Sequence, residues 1–297
     1  MKPAYSDFAC AKQDQDIIDR GSKYILPVYA RAPFVLSHGE GSWVWDTAGR
    51  KYLDLSAGIA VNALGHADEG VLKVCIRPTN LPCAGLIRLQ VLQDQAGKLL
   101  HTSNLYHNES AGKLAELLVE LTKSHGAPSF DGAKVFFANS GTEANEGALK
   151  IARKVGKERW AKATGKPSDD PSCDKHEIVC FENGFHGRSM GALSVTSNPK
   201  YQNPFMPLIP GVRVGKLNAQ ESIDNLISDK TCAVIVEPIQ GEGGIQSAKV
   251  GWLKALRKKC DEVGAVLIFD EIQVCSVLCF VFFFWCSGEH WLCRDFH

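Results

Sequence analysis

The chain has 297 residues, 45% of them hydrophobic and 22% charged, with Lys+Arg and Asp+Glu both at 33. That length allows one large domain or two ordinary ones. The balanced charge and the lack of any basic run argue against a nucleic-acid surface and fit a metabolite binder better. The eleven cysteines are an odd number with no secretory signal beside them, so free thiols in a reducing compartment are expected, and no cysteine spacing suggests a metal site.

The first twenty residues include Asp7, Asp14, Asp16 and Asp19, which is unlike an Arg- and Ser-rich transit peptide. Residues 41–55 alternate apolar and polar side chains around Asp46-Thr-Ala-Gly49, the pattern of a β-hairpin. Residues 75–91 carry two prolines and a glycine between stretches that, joined directly, place Val71, Val74, Leu92, Ala96 and Leu99 on one helix face. They read as an insertion into that helix; a natural loop between two short helices is the alternative. Residues 1–130 are expected to form an N-terminal arm with the hairpin and helices.

From residue 131 the pattern changes. Residues 135–137 are expected to form a short strand and 143–162 a helix. Residues 178–181 and 232–237 read as buried strands, 252–263 as an amphipathic helix, and 265–270 as a further buried strand. Strands alternating with helices predict a mostly parallel α/β sheet over 131–273. The tail, 274–297, is rich in Cys, Phe and Trp without amphipathic period or caps. It reads as frame-shifted or read-through sequence, with a hydrophobic docking segment as the alternative. Its apolar run, 274–285, is too short to span a bilayer, and no membrane or nucleic-acid partner is expected.

Four segments carry the chemistry, each placed by the pattern at the carboxyl end of a strand, where open α/β sheets bind ligands. In Asn139-Ser-Gly-Thr-Glu-Ala-Asn-Glu146 a turn opens a helix. Its free backbone N–H groups suit a phosphate, with the Ser140 and Thr142 hydroxyls as extra donors and Gly141 allowing close approach; the same residues also make an ordinary helix cap. In Asn183-Gly-Phe-His-Gly-Arg-Ser189 the glycines on both sides of Phe185-His186 suggest an aromatic ring presented on a loop, which fits a stack on a planar cofactor, and Arg188 fits a carboxylate clamp. A plain solvent-facing loop is the alternative. Val236-Glu-Pro-Ile-Gln-Gly-Glu-Gly-Gly244 brings Glu237 and Glu242 onto a glycine-rich loop. Asp270 of Asp270-Glu-Ile-Gln273 follows an apolar strand. A carboxylate so placed is costly without a cation such as a protonated ring nitrogen, unless it caps the next helix.

Together, in this order and spacing, the four segments resemble the signature of the class III (subgroup II) aminotransferases. The resemblance covers about residues 20–74 and 92–273. It implies the large domain of a type I pyridoxal-phosphate transferase, aspartate-aminotransferase-like, and pyridoxal 5'-phosphate as cofactor. It further implies that Ser140, Gly141 and Thr142 hold the phosphate, that Phe185 and His186 meet the ring, that Asp270 pairs with the ring nitrogen, and that Gln273 lies near the phenolic oxygen. Arg188, Glu242, Glu237 and, near the entrance, Tyr29 are implied on the substrate side. Residues 57–66 and 101–106 are similar to the family members that move the δ-amino group of N2-acetylornithine to 2-oxoglutarate. Other ω-amine specificities, for ornithine or 4-aminobutyrate, are the alternative. Homodimers and, in eukaryotes, the mitochondrial matrix are further implications of the resemblance. The Schiff-base lysine should follow Asp270 by a few tens of residues, whereas the last lysine here is Lys259. The chain as given is therefore expected not to transaminate, and a non-catalytic chain that pairs with a full-length subunit is a further reading.

Overall fold

A computed structural model describes residues 12–27, 29, 31–71, 95–103, 106–124 and 133–273. The expected insertion at 75–91, Val74 and Leu92 of the apolar stripe around it, and the tail from 274 lie outside these residues. The chain clusters into two compact units divided between Tyr106 and His107.

In the first unit, helix α1 (Lys12–Tyr24) precedes a three-stranded antiparallel sheet of β1 (Leu36–Glu40), β2 (Trp43–Asp46) and β3 (Lys51–Leu53). The expected hairpin is β2–β3, with Trp43 opposite Leu53 and Trp45 opposite Lys51. β1, which pairs on the other side of β2, was not foreseen: its sequence, Leu-Ser-His-Gly-Glu, lacks the β-branched residues that mark a strand. Asp46 ties the turn together. Its carboxylate accepts from the backbone of Ala48 at 3.0 Å and Arg50 at 2.9 Å, from Arg50 Nε at 2.6 Å and from the Tyr52 hydroxyl at 2.7 Å. Burial works against its charge, but the bonds from Tyr52 and Arg50 outweigh it and hold the carboxyl down at about 2.

The second unit is an α/β layer structure. Helix α2 (Glu109–Ser124) precedes the long α3 (Gly141–Thr164). The sheet comprises β4 (Glu177–Phe181), β5 (Val212–Gly215), β6 (Thr231–Val236) and, after the short antiparallel pair β7 (Ile239–Gln240) and β8 (Gln246–Ser247), β9 (Val266–Phe269). Helices α4 (Met190–Val195), α5 (Gln220–Leu226) and α6 (Val250–Val263) connect them. All three ladders are parallel, in the order β5-β4-β6-β9. The chain steps from β4 to one side and then crosses to β6 on the other, so the order reverses between β4 and β6. That reversal opens a crevice outside their carboxyl ends.

Both faces of the sheet are covered, which is why its strands read as unbroken apolar runs rather than alternating ones. Val179, Phe181, Val234 and Val236 pack against α5 and α6, whereas Ile178, Cys180, Ala233 and Ile235 pack with residues of α3 and α4. Phe181 meets Trp252 edge-on with ring centroids 4.9 Å apart, a pair that adds about 1 kcal/mol to its area burial. Cys173, Cys180, Cys232 and Cys260 are free thiols. Burial pushes Cys180 and Cys260 up to about 12, which makes them packing groups rather than nucleophiles. Lys175, lowered by burial, donates to the carbonyls of Asp229 at 2.9 Å and Val263 at 2.6 Å. These lie at the amino ends of the strands, the edge opposite the crevice.

The expected strand at 135–137 is not formed. No strand among the described residues pairs with it, and Phe136 and Phe137 are 46% and 44% exposed. A strand exists only by pairing, and an apolar triplet cannot make one alone.

Asp46→Asn is expected to destabilise the first unit at neutral pH. The carboxyl of Asp46 is held at about 2, below its unfolded value of roughly 3.9. Its contribution is therefore complete above the unfolded value and lost as pH falls through the folded one. The gap between variant and unsubstituted melting temperatures should narrow as pH drops from 4 toward 2; a gap independent of pH would remove the carboxylate's charge from the account.

Candidate active site

The site begins at the N-terminus of α3. Ser140 is its extended N-cap, and the Ser140 hydroxyl accepts from Glu143 N at 3.3 Å while the Glu143 carboxylate reaches back to Asn139 N at 3.0 Å. This reciprocal arrangement is a capping box displaced by one residue. Among the described residues, the backbone N–H groups of Gly141 and Thr142 meet no acceptor, and they stand at the positive end of a 24-residue helix. A side chain on Gly141 would collide with Ile272 Cδ1 at 2.8 Å, so the turn lies directly against the segment that follows β9. The hydroxyls expected as extra phosphate donors are engaged within the protein. Ser140 is occupied with Glu143, and Thr142 Oγ1 lies 2.6 Å from Ser189 Oγ and accepts from Ser189 N at 3.2 Å. This first segment also follows no strand, so three of the four segments, not all, stand at strand ends.

One turn into α3, Asn145 is buried and donates through Nδ2 to Asp270 Oδ2 at 2.8 Å and to the His186 carbonyl at 2.7 Å. Asp270, 7% exposed at the end of β9, also bonds His186 Nδ1 at 2.8 Å through Oδ2 and accepts from Ile272 N at 3.2 Å through Oδ1. Four residues of helix separate Gly141 from Asn145, about 6 Å along the axis, so one small planar ring can bridge from the free N–H groups to the Asp270 carboxylate. Among the described residues no helix follows Asp270; Ile272 and Gln273 lie in a turn. His186 is 3% exposed and bonds the Asp270 carboxylate.

The loop after β4 is fastened from several sides. Glu237, 4% exposed at the end of β6, accepts from Phe185 N at 2.7 Å and from Gly241 N at 3.1 Å, so it ties the two loops that flank the reversal. Burial pushes its carboxyl above the ordinary range, against the pull of those N–H groups. Gly187 has φ +127°, and a Cβ there would meet Thr142 Oγ1 at 2.4 Å, so only glycine lets this loop close on α3. Glu146 accepts from Gly191 N at 2.7 Å and Ala192 N at 3.1 Å, capping α4 from across the site. Phe185 faces a cavity of about 70 Å³ whose lining also includes Asn183, Tyr201, Glu242 and Gly243. Arg188 is exposed, its guanidinium carbon 4.0 Å from the Tyr201 ring centroid, and the Tyr201 hydroxyl donates to Glu242. Gln273 lies against Gly241, 3.4 Å from where its Cβ would be. Tyr29 belongs to the first unit and is 60% exposed.

Sequence reasoning named Asp270 and the N–H turn but gave no role to Asn145, Glu146 or Tyr201. The first two stand inside the quoted motif; their signal is helical spacing, which turns Asn145 inward with Ala144 and Ala148. Tyr201 carried no motif signal at all. Among the described residues no cluster of His, Cys, Asp and Glu could hold a metal ion, and no helix is long and apolar enough to cross a membrane.

The family model for class-III aminotransferases matches residues 88–276, which include all four segments. The chain belongs to that family. The chain is 49% identical over 90% of its length to the mitochondrial acetylornithine aminotransferase of Yarrowia lipolytica, covering 57% of that protein. It is 50% identical over 84% of its length to that of Neurospora crassa, covering 48%. It thus spans about half the length of the curated relatives it matches. Among solved structures it is similar to ornithine aminotransferase from Toxoplasma gondii, with TM-score 0.70, 29% identity and coverage of 89% of this chain and 55% of that one. It is also similar to N-acetylornithine aminotransferase from Stenotrophomonas maltophilia, with TM-score 0.59, 34% identity and coverage of 86% and 54%. The type I α/β fold of the pyridoxal-phosphate aminotransferases is therefore the fold of this chain, and members of the class are pyridoxal-phosphate-dependent.

Asn145→Ala removes the donor shared by two buried acceptors, Asp270 and the His186 carbonyl. It is expected to cost about 2 kcal/mol of unfolding free energy, measured by urea denaturation; a loss below about 0.5 kcal/mol would mean that water or another donor replaces it.

Proposed function

We propose that residues 131–273 are the greater part of a pyridoxal 5'-phosphate site. The protein they serve is a transaminase that moves the δ-amino group of N2-acetylornithine to 2-oxoglutarate. The observation that carries this reading is the pairing of two features through one side chain: the free N–H groups at the start of α3 and the buried carboxylate of Asp270, linked by Asn145. An anionic tail and a cationic ring nitrogen, held about one helix turn apart, describe this cofactor's two charged ends.

When bound, the group would supply an electron sink for the negative charge left when the carbon bearing the transferred amino group loses its proton. The chain's residues do the rest. The N–H groups of Gly141 and Thr142 take the phosphate at the positive helix end. Asp270 faces the ring nitrogen and keeps its proton there, because removing that proton would leave a buried carboxylate without its cation. Asn145 and His186 orient Asp270 by bonding Oδ2, while Oδ1 accepts from Ile272 N at 3.2 Å and keeps a further lone pair for the ring nitrogen. Phe185 stands at the ring face, and Gln273 beside Gly241 is assigned to the phenolic oxygen. Glu237 keeps the segments bearing Phe185 and Gly241 at fixed separation. On the substrate side, Arg188 takes a carboxylate, Glu242 stands at the cavity mouth as the carboxylate that yields to a dicarboxylate, and Tyr29 is assigned to the entrance.

The choice of N2-acetylornithine over ornithine or 4-aminobutyrate rests on the relatives at 49–50% identity. These relatives are named mitochondrial, and the matrix is proposed for this protein on the same ground, together with a homodimeric assembly.

Calorimetric titration of the chain with pyridoxal 5'-phosphate is expected to give saturable binding that Asp270→Asn weakens about tenfold, a loss of one charge-assisted bond. In the presence of cofactor, N2-acetylornithine should bind more tightly than 4-aminobutyrate. Equal cofactor binding by the Asp270→Asn variant would sink the ring-nitrogen assignment, and tighter 4-aminobutyrate binding would sink the substrate assignment.

A further inference from the structure

Tyr201 lies on a short helical turn, Pro199–Gln202, outside every motif that marks the family here. The side chain of Asn198 caps that turn by accepting from Lys200 N at 3.1 Å. Three functional side chains converge on the Tyr201 ring. The Arg188 guanidinium lies over its face at 4.0 Å, its hydroxyl donates to Glu242, and its edge meets Phe185 with centroids 6.1 Å apart and planes at 83°. The ring also lines the cavity of about 70 Å³ together with Phe185 and Glu242.

We infer that Tyr201 is the positioning residue for the carboxylate-binding Arg188: its face holds the guanidinium, and its hydroxyl, anchored on Glu242, keeps the ring from turning. The inference rests on the reading of Arg188 as the carboxylate clamp. An exposed arginine carries a large rotamer entropy and, unassisted, pairs weakly with anions in water. Stacking on an aromatic face costs the guanidinium little hydration and narrows its choice of rotamers. The carboxylate then meets a cation already ordered, and the ordering cost falls before binding rather than on it. The Glu242 bond sets where the negative charge stands, so one ring contacts both a cation, Arg188, and an anion, Glu242.

The test titrates glutarate, a dicarboxylate without a reactive carbonyl, into the full chain and into three variants, with circular dichroism to check folding. Tyr201→Phe keeps the face and loses the hydroxyl, and its affinity should fall no more than about threefold; Tyr201→Leu removes the face and should fall about tenfold. Arg188→Met should fall at least as far and should also flatten the dependence on ionic strength, which Tyr201→Leu retains because its guanidinium is still charged. Full affinity in Tyr201→Leu beside a fall in Arg188→Met overturns the inference and leaves the clamp standing. A Tyr201→Phe variant as weak as Tyr201→Leu overturns the role of the ring face. Unchanged affinity in Arg188→Met, or no glutarate binding by the unsubstituted chain, overturns the clamp and this inference with it.

Discussion

A carboxylate buried at the end of a parallel strand is the constraint around which the second unit is arranged. Asp270 is tolerable there because Asn145 and His186 both bond one of its oxygens and Ile272 N bonds the other. Each partner comes from a different part of the chain, so the bond set staples the start of α3, the loop after β4 and the end of β9 to a common point. Removing any one of them leaves a polar group stranded in a dry place, which costs more than the bond itself is worth. The loops near the crevice are held as tightly as the strands for the same reason. Glu237 and Glu146 repeat the device, each spending a carboxylate on backbone N–H groups of a neighbouring loop or helix start.

The sheet order supplies the place for this arrangement. The reversal between β4 and β6 sends the loops after them to opposite sides, and the gap between those loops is where Phe185, Tyr201 and Glu242 surround a cavity. Burial of the sheet on both faces makes its strands stiff, so the crevice has a firm floor. At the opposite edge Lys175 is locked by the Asp229 and Val263 carbonyls.

Much of this was legible in the residues. Unbroken runs such as Thr-Cys-Ala-Val-Ile-Val at β6 announce strands covered on two sides, and the turn at Ser140-Gly141 announces a helix start with spare donors. Asp270 announces itself by following apolar residues directly. What was not legible depends on contacts between distant parts. The triplet at 135–137 has the composition of a strand, but pairing is a property of neighbours and not of composition. His186 stands next to Phe185 in the sequence, yet adjacent residues on an extended loop point to opposite sides, so Phe185 faces the cavity and His186 is buried. The Ser140 and Thr142 hydroxyls looked like phosphate donors because the sequence does not display Glu143 and Ser189 competing for them. Tyr201 was invisible because its importance comes from the three side chains that reach it, none within ten residues along the chain.

Helix α3 gives the site an unusual economy of support. Within its first two turns, Gly141 and Thr142 present donors, Asn145 grips Asp270, and Glu146 caps α4. A helix turns by a fixed angle per residue, so these three duties share one angular setting. Adding or deleting a single residue between 141 and 146 would swing Asn145 and Glu146 a quarter-turn away while the donors stayed put. The spacing inside that stretch, more than any one side chain in it, is the dimension of the molecule with the least freedom to drift.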